Sequence, residues 1–221
     1  MVDVGCGTGT WCAEFLEQGV RTVLGVDGAY VDKSQLMIPP GSFLARDLAA
    51  PLRLDRTFDL AISMEVAEHL PPERGASFVD DLTRLAPIVL FSAAIPGQGG
   101  TSHVNEQWPS YWDGLFRKRG FRAIDCLRAR FWDDPSIDWW YRQNMFLFVR
   151  EDRLPEFPAP DQSAPRDIVH PVLYRVYKSG YKDVIRKPTL GFLLRSIPGA
   201  LFRSFRFRVL GIPEKDEEPE R

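Results

Sequence analysis

Short apolar runs alternate with amphipathic stretches over the first 150 residues. Val2–Val4, Thr22–Val26, Ser42–Ala45, Phe58–Ser63 and Ile88–Ser92 read as strands, and the nearly continuous apolar ones suit a sheet covered on both faces. Between them, Trp11–Gly19, Ala29–Met37 and Pro72–Ala86 carry helical patterning, with Gly19 and Pro39-Pro40-Gly41 as stops. A further helix is expected over Trp108–Arg119, halted at Gly120, then strands at Phe121–Leu127 and Met145–Val149 around an aromatic insert of Phe131, Trp132, Trp139, Trp140 and Tyr141. Strands alternating with helices predict βαβ units and a parallel sheet.

From Glu151 the pattern changes. Residues 151–166 read as a proline-rich linker, 167–212 as a helical extension and 213–221 as a charged, disordered tail. Within the extension, 190–210 interleaves Leu193, Leu194, Ile197, Leu201, Phe202, Phe205 and Phe207 with Arg195, Arg203, Arg206 and Arg208. It suits either an amphipathic surface for an anionic membrane or protein partner, or a domain-closing helix with solvated arginines.

With 221 residues the chain accommodates one α/β domain and an appendage. A net charge of −2 gives no general pull toward nucleic acid. Cys6, Cys12 and Cys126 are odd in number and lack metal-ligand spacing, so neither a disulfide framework nor a metal site is expected, and the compartment expected is cytoplasmic.

Candidate chemistry begins at the first strand. Val2-Asp3-Val4-Gly5-Cys6-Gly7-Thr8-Gly9-Thr10 puts three alternate glycines between an apolar run and a helix start. Glycine admits positive φ and close ligand approach, and a helix N-terminus presents unpaired N–H groups. A dinucleotide loop is spaced G-x-G-x-x-G, and here the third glycine comes one residue early. The nearby Asp3 would repel a phosphate and suits a cation.

The stretch resembles D-x-G-x-G-x-G, the first motif of class I S-adenosylmethionine-dependent methyltransferases. The resemblance covers residues 1 to about 150. It implies a Rossmann-like, doubly wound, seven-stranded and mainly parallel α/β sheet whose last strand is antiparallel. It implies S-adenosylmethionine as cofactor, held at the loop by Asp3, Gly5, Cys6, Gly7 and Gly9. Acids follow successive strand ends in the family's order. Asp27 suits the ribose hydroxyls, Asp47 with the Leu48 N–H suits the adenine, and Glu65 closes the site. The same positions also suit ordinary turn and cap residues. Members of the family usually carry a helix before the first strand, so a missing N-terminal segment is expected.

Two histidines stand where an acceptor would approach. His69 lies in Glu65-Val66-Ala67-Glu68-His69-Leu70, and His103 in His103-Val104-Asn105-Glu106-Gln107-Trp108. The second stretch resembles the H-x-N-x-x-x-W/Y segment of small-molecule methyltransferases. His103 is the candidate base or acceptor contact, with helix capping as its alternative role, and His69 is a weaker candidate base. The function expected is methyl transfer to a small-molecule acceptor, by O-methylation of a sugar, glycan precursor or secondary metabolite. A non-catalytic, degenerate module of the same fold is the alternative. A nucleotide-dependent oxidoreductase is disfavoured by Asp3 and the early Gly9. Amino-group methylation of nucleic-acid bases is disfavoured because Ser63-Met64-Glu65-Val66 stands where an Asn-Pro-Pro-Tyr motif would be.

Overall fold

The computed structural model describes residues 1–157 and 166–185, with side chains described to 178. The segment 190–210 and the tail 213–221 lie outside the described residues. The strands are β1 (Val2–Val4), β2 (Leu24–Asp27), β3 (Phe43–Ala45), β4 (Ala61–Met64), β5 (Ile88–Ser92), β6 (Phe121–Ile124) and β7 (Phe146–Arg150). They form one seven-stranded sheet in the order β3-β2-β1-β4-β5-β7-β6. β1 pairs parallel with β2 and β4, while β7 runs antiparallel to both β5 and β6. This is the Rossmann-like sheet with an antiparallel last strand that the resemblance implies.

The helices are α1 (Thr10–Glu17), α2 (Gly75–Leu85), α3 (Pro109–Arg117), α4 (Cys126–Phe131), α5 (Trp139–Asn144) and α6 (Pro171–Ile185). Alternation along each strand sorts them onto two faces. Val2, Val4, Ala61, Val89 and Phe91 join Phe78, Val79 and Leu82 of α2 and Trp112 and Phe116 of α3 in one core. Ile62 and Leu90 turn the other way, onto Cys12, Leu16 and Trp11 of α1. Full burial of side chains such as Phe78 or Phe116 contributes about 1.5–3 kcal/mol each. Gly19 ends α1 as expected: its N–H donates to the Leu16 carbonyl at 3.0 Å and the Val20 N–H to Phe15 at 2.9 Å, a Schellman closure.

Three expectations change. Ala29–Met37 holds only a three-residue turn, Lys33–Gln35, because Asp32 caps Ser34 and the chain end is drawn off by the Met37 N–H bonding the Thr8 carbonyl at 2.9 Å. The strand from Phe121 ends at Ile124, where Asp125 leaves the β region and α4 begins. The aromatic insert is itself helical, as α4 and α5.

Two compact units divide the chain, Met1–Leu173 and Tyr174–Arg221. The first extends past residue 150. The Glu151 N–H bonds the Gly120 carbonyl at 2.9 Å, Glu151 pairs with Arg122 at 2.6 Å, and the Asp167 carboxylate takes the Ser110 N–H and hydroxyl at 2.9 and 2.6 Å. Among the described residues no helix is long and apolar enough to cross a membrane.

Candidate active site

The parallel strands end on one edge, where the glycine loop joins β1 to α1. Gly5 sits at φ 91°, and a Cβ there would stand 2.3 Å from Val66 Cγ2, so the loop can lie against the end of β4 only without a side chain. Gly7, at φ 53°, differs: a Cβ would meet nothing within 4 Å, so the space above it is open.

Asp27, at the end of β2, is 5% exposed. Its Oδ2 accepts the Gly7 N–H at 2.7 Å, and its Oδ1 accepts the Gly28 N–H at 2.6 Å and the Tyr30 hydroxyl at 2.5 Å. Three donors thus aim this carboxylate at the loop mouth, and one of them belongs to a side chain that is 84% exposed. The same bond pushes the Tyr30 phenol up to about 12.

Asp3 lies beneath the loop rather than in its mouth. It is 1% exposed, on the α1 side of the sheet, with Cys12 Sγ at 4.0 Å from Oδ2. Burial, then the charge of Asp27, pushes its carboxyl up to about 8, so it is neutral at pH 7. Its route to a ligand runs through the loop. Cys6 is also buried and turns its thiol to the Gly7 carbonyl at 3.4 Å; burial raises its pKa, so it contributes backbone and not a thiolate. Asp47, after β3, is exposed and accepts the Ala49 N–H at 2.9 Å, while the Leu48 side chain is in the core.

Glu65, after β4, has a positive φ of 54°, uncommon for a residue with a Cβ. Its N–H donates to the Ser92 carbonyl and hydroxyl, both at 3.1 Å. Its carboxylate accepts from Gln98 Nε2 at 2.8 Å and Asn144 Nδ2 at 3.1 Å, and Asn144 also donates to Gln98 Oε1 at 2.9 Å. Sequence reasoning missed Gln98, on the loop after β5, and Asn144, at the end of α5, which share no spacing with Glu65.

The two histidine stretches meet. The Glu68 carbonyl accepts the N–H groups of Val104 and Asn105 at 2.8 and 3.0 Å, and Asn105 Nδ2 donates to the Ala67 carbonyl at 3.2 Å. That latch sets the rings of His69 and His103 edge to face, centroids 4.9 Å apart. Burial and the neighbouring His103 lower the pKa of His69, keeping it neutral at pH 7. Glu106 stands 3.0 Å from His103 Nδ1 and also accepts the Gly97 and Gly99 N–H groups at 2.6 and 2.8 Å, so it fixes both ring and loop. A cavity of about 270 Å³ opens here, lined by Glu65, Glu68, His69, Gln98, Gly99, His103, Trp139 and Trp140. A larger cleft of about 580 Å³, between 52–57 and 81–85, is lined by residues apart from the glycine loop and the two histidines.

An open α/β sheet with a glycine loop at its first strand end, and carboxylates after the next strands, is the architecture of nucleotide-type cofactor domains. A family model described as a methyltransferase domain matches residues 1–117, more than half of the chain. The chain belongs to this family and is a class I S-adenosylmethionine-dependent methyltransferase. Among solved structures it is similar to magnesium protoporphyrin IX methyltransferase from Synechocystis PCC 6803 with bound S-adenosylmethionine, at 20% identity and TM-score 0.50, over 67% of this chain and 68% of that one. It is also similar to an S-adenosylmethionine-dependent methyltransferase from Mesorhizobium loti, at 20% identity and TM-score 0.47, over 67% and 88%. No curated protein sequence matches the chain.

Proposed function

We propose that the chain methylates a small-molecule acceptor at oxygen, most simply a hydroxyl of a sugar, a glycan precursor or a secondary metabolite. The observation that carries this reading is the adjacency of two features on one sheet edge. One is a glycine loop braced by Asp27, and the other is a histidine-lined cavity with two tryptophan walls. The residues fit the cofactor: space is open above Gly7, and Asp27, Asp47 and Glu65 give the rim the acidic character a sulfonium and an ammonium call for.

S-adenosylmethionine supplies an electrophilic methyl, which the acceptor oxygen takes while the sulfur keeps the electron pair of the breaking bond. The chain supplies the rest. Asp27 receives the ribose hydroxyls in exchange for the Tyr30 hydroxyl. Gly5, Cys6, Gly7 and Gly9 lay backbone along the methionine end, with Asp3 behind them. Asp47 and the Leu48 N–H take the adenine edge. Trp139 and Trp140 offer flat apolar walls to a sugar or ring system and exclude water. His103, oriented by Glu106, accepts the hydroxyl proton or holds the acceptor, and the neutral His69 beside it is the second candidate. Alignment carries most of the rate, and proton removal adds about 10²–10⁴-fold.

The test is transfer of label from methyl-labelled S-adenosylmethionine into a fractionated extract. Label in small glycosides, lipid-linked sugars or metabolites, lost with Asp27→Ala, supports the reading. Label in protein or nucleic acid alone contradicts it.

A further inference from the structure

We infer that Glu68, His69 and His103 form a divalent transition-metal site at the mouth of the acceptor cavity, whose open positions take oxygens of the acceptor. Each residue offers one ligand atom, and these atoms all lie within 4.8 Å of one another, close enough for one ion to gather with small side-chain movements. The three come from two loops latched by the Glu68 carbonyl.

The second, independent observation is the state of Glu68. The residue is 0% exposed, and neither carboxylate oxygen has a hydrogen-bond partner. Its own N–H, that of Ala94 and the Glu65 side chain are near enough to act on it but miss hydrogen-bond geometry. A buried carboxylate without partners carries a heavy desolvation cost. The Glu65 charge nearby adds repulsion. A cation relieves both at once.

The donor set selects the ion. Two imidazoles and one carboxylate favour Mn²⁺, Co²⁺ or Zn²⁺ over the oxygen-seeking Mg²⁺ and Ca²⁺. Three protein ligands leave coordination positions open, as catalytic rather than structural sites do. Those positions face the cavity that Trp139 and Trp140 wall. Glu106, on His103 Nδ1, plays the outer-sphere part usual for a metal-binding imidazole, fixing ring and tautomer. A chelating acceptor, with two adjacent oxygens, fits such a site best. The ion would lower the pKa of the bound hydroxyl and aim it; with His69 and His103 holding the ion, the hydroxyl proton would pass to solvent water at the open cavity mouth.

The inference rests on the acceptor-site reading above, but its test uses neither cofactor nor acceptor, so the two fail separately. Mn²⁺ is titrated into the full chain, with free Mn²⁺ followed by electron paramagnetic resonance. One ion per chain is expected, and Glu68→Gln, His69→Gln and His103→Gln should each weaken binding at least tenfold, while exposed Glu14→Gln leaves it unchanged. The melting temperature should rise with Mn²⁺ in the unaltered chain, a readout that needs no variant to fold. Zn²⁺ should displace Mn²⁺, and a tenfold excess of Mg²⁺ should not. No saturable uptake by the folded unaltered chain, uptake indifferent to all three variants, or ready displacement by Mg²⁺ would overturn the site.

Discussion

Replacing Asp27 by Asn separates its two jobs, holding the glycine loop and receiving the cofactor. The carboxylate gives one oxygen to the Gly7 N–H and the other to the Gly28 N–H and the Tyr30 hydroxyl. Asparagine has only one oxygen. Turned either way, its NH₂ faces a backbone N–H, and at least one donor loses its partner. An unsatisfied donor costs about 1–3 kcal/mol. At roughly 2–4 °C per kcal/mol for a domain of this size, the melting temperature falls by several degrees while the fold persists. Cofactor binding should lose more than loop order. One of two hydroxyl bonds to a charged acceptor disappears, about 1.5–3 kcal/mol, which is roughly a ten- to hundredfold loss of affinity. Calorimetric titration with S-adenosylmethionine, paired with thermal melts, reads both effects. A lowered melting temperature with affinity unchanged within about twofold would show that Asp27 only braces the loop, and the ribose assignment would be refuted.

Tyr30→Phe frees the same carboxylate from an exposed donor worth about 0.5–1.5 kcal/mol, so S-adenosylmethionine should bind roughly two- to tenfold tighter; weaker binding in the same titration would mean that Tyr30 is itself a ligand contact. Asp3 rises from an ordinary carboxyl value to about 8 on folding. Between about pH 4 and 8 the unfolded chain therefore holds a charge that the folded chain refuses, and this contribution to stability falls as pH rises and levels off above 8. Asp3→Asn should flatten that decline in melts across pH 4–9, and an unchanged slope counts against a neutral buried Asp3. His103→Ala should lower methyl transfer by roughly a hundredfold with cofactor affinity within about twofold; an unaffected rate removes His103 from the acceptor role.

Local pattern carried the central sheet. Apolar runs such as Ile88–Ser92 and the glycine spacing after Val4 are decided by neighbours within a few residues, and they stand where the sequence puts them. The region 29–37 forms no helix of the expected length because its apolar periodicity is weak and Asp32 offers the backbone a side-chain turn instead. Asp125 likewise stopped the strand from Phe121 early, since its side chain pairs with Arg128 across the first turn of α4. In the candidate site, each acid was placed at a strand end by order along the chain, but its environment was not. Nothing local marks Asp3 as covered by α1, or Tyr30 as a donor to Asp27. The contact between Glu65 and Asn144 spans 79 positions. The sharpest case is Glu68, His69 and His103, whose side chains converge only because two loops share backbone hydrogen bonds, which no local spacing marks.

The central claim is that the loop and acids at this sheet edge receive a methyl donor. Isothermal titration of the full chain with S-adenosylmethionine and with its demethylated product tests it most directly. Saturable one-to-one binding of both, weakened by Asp27→Asn, is the result expected. A folded chain that binds neither would contradict the account and leave the degenerate, non-catalytic module in its place.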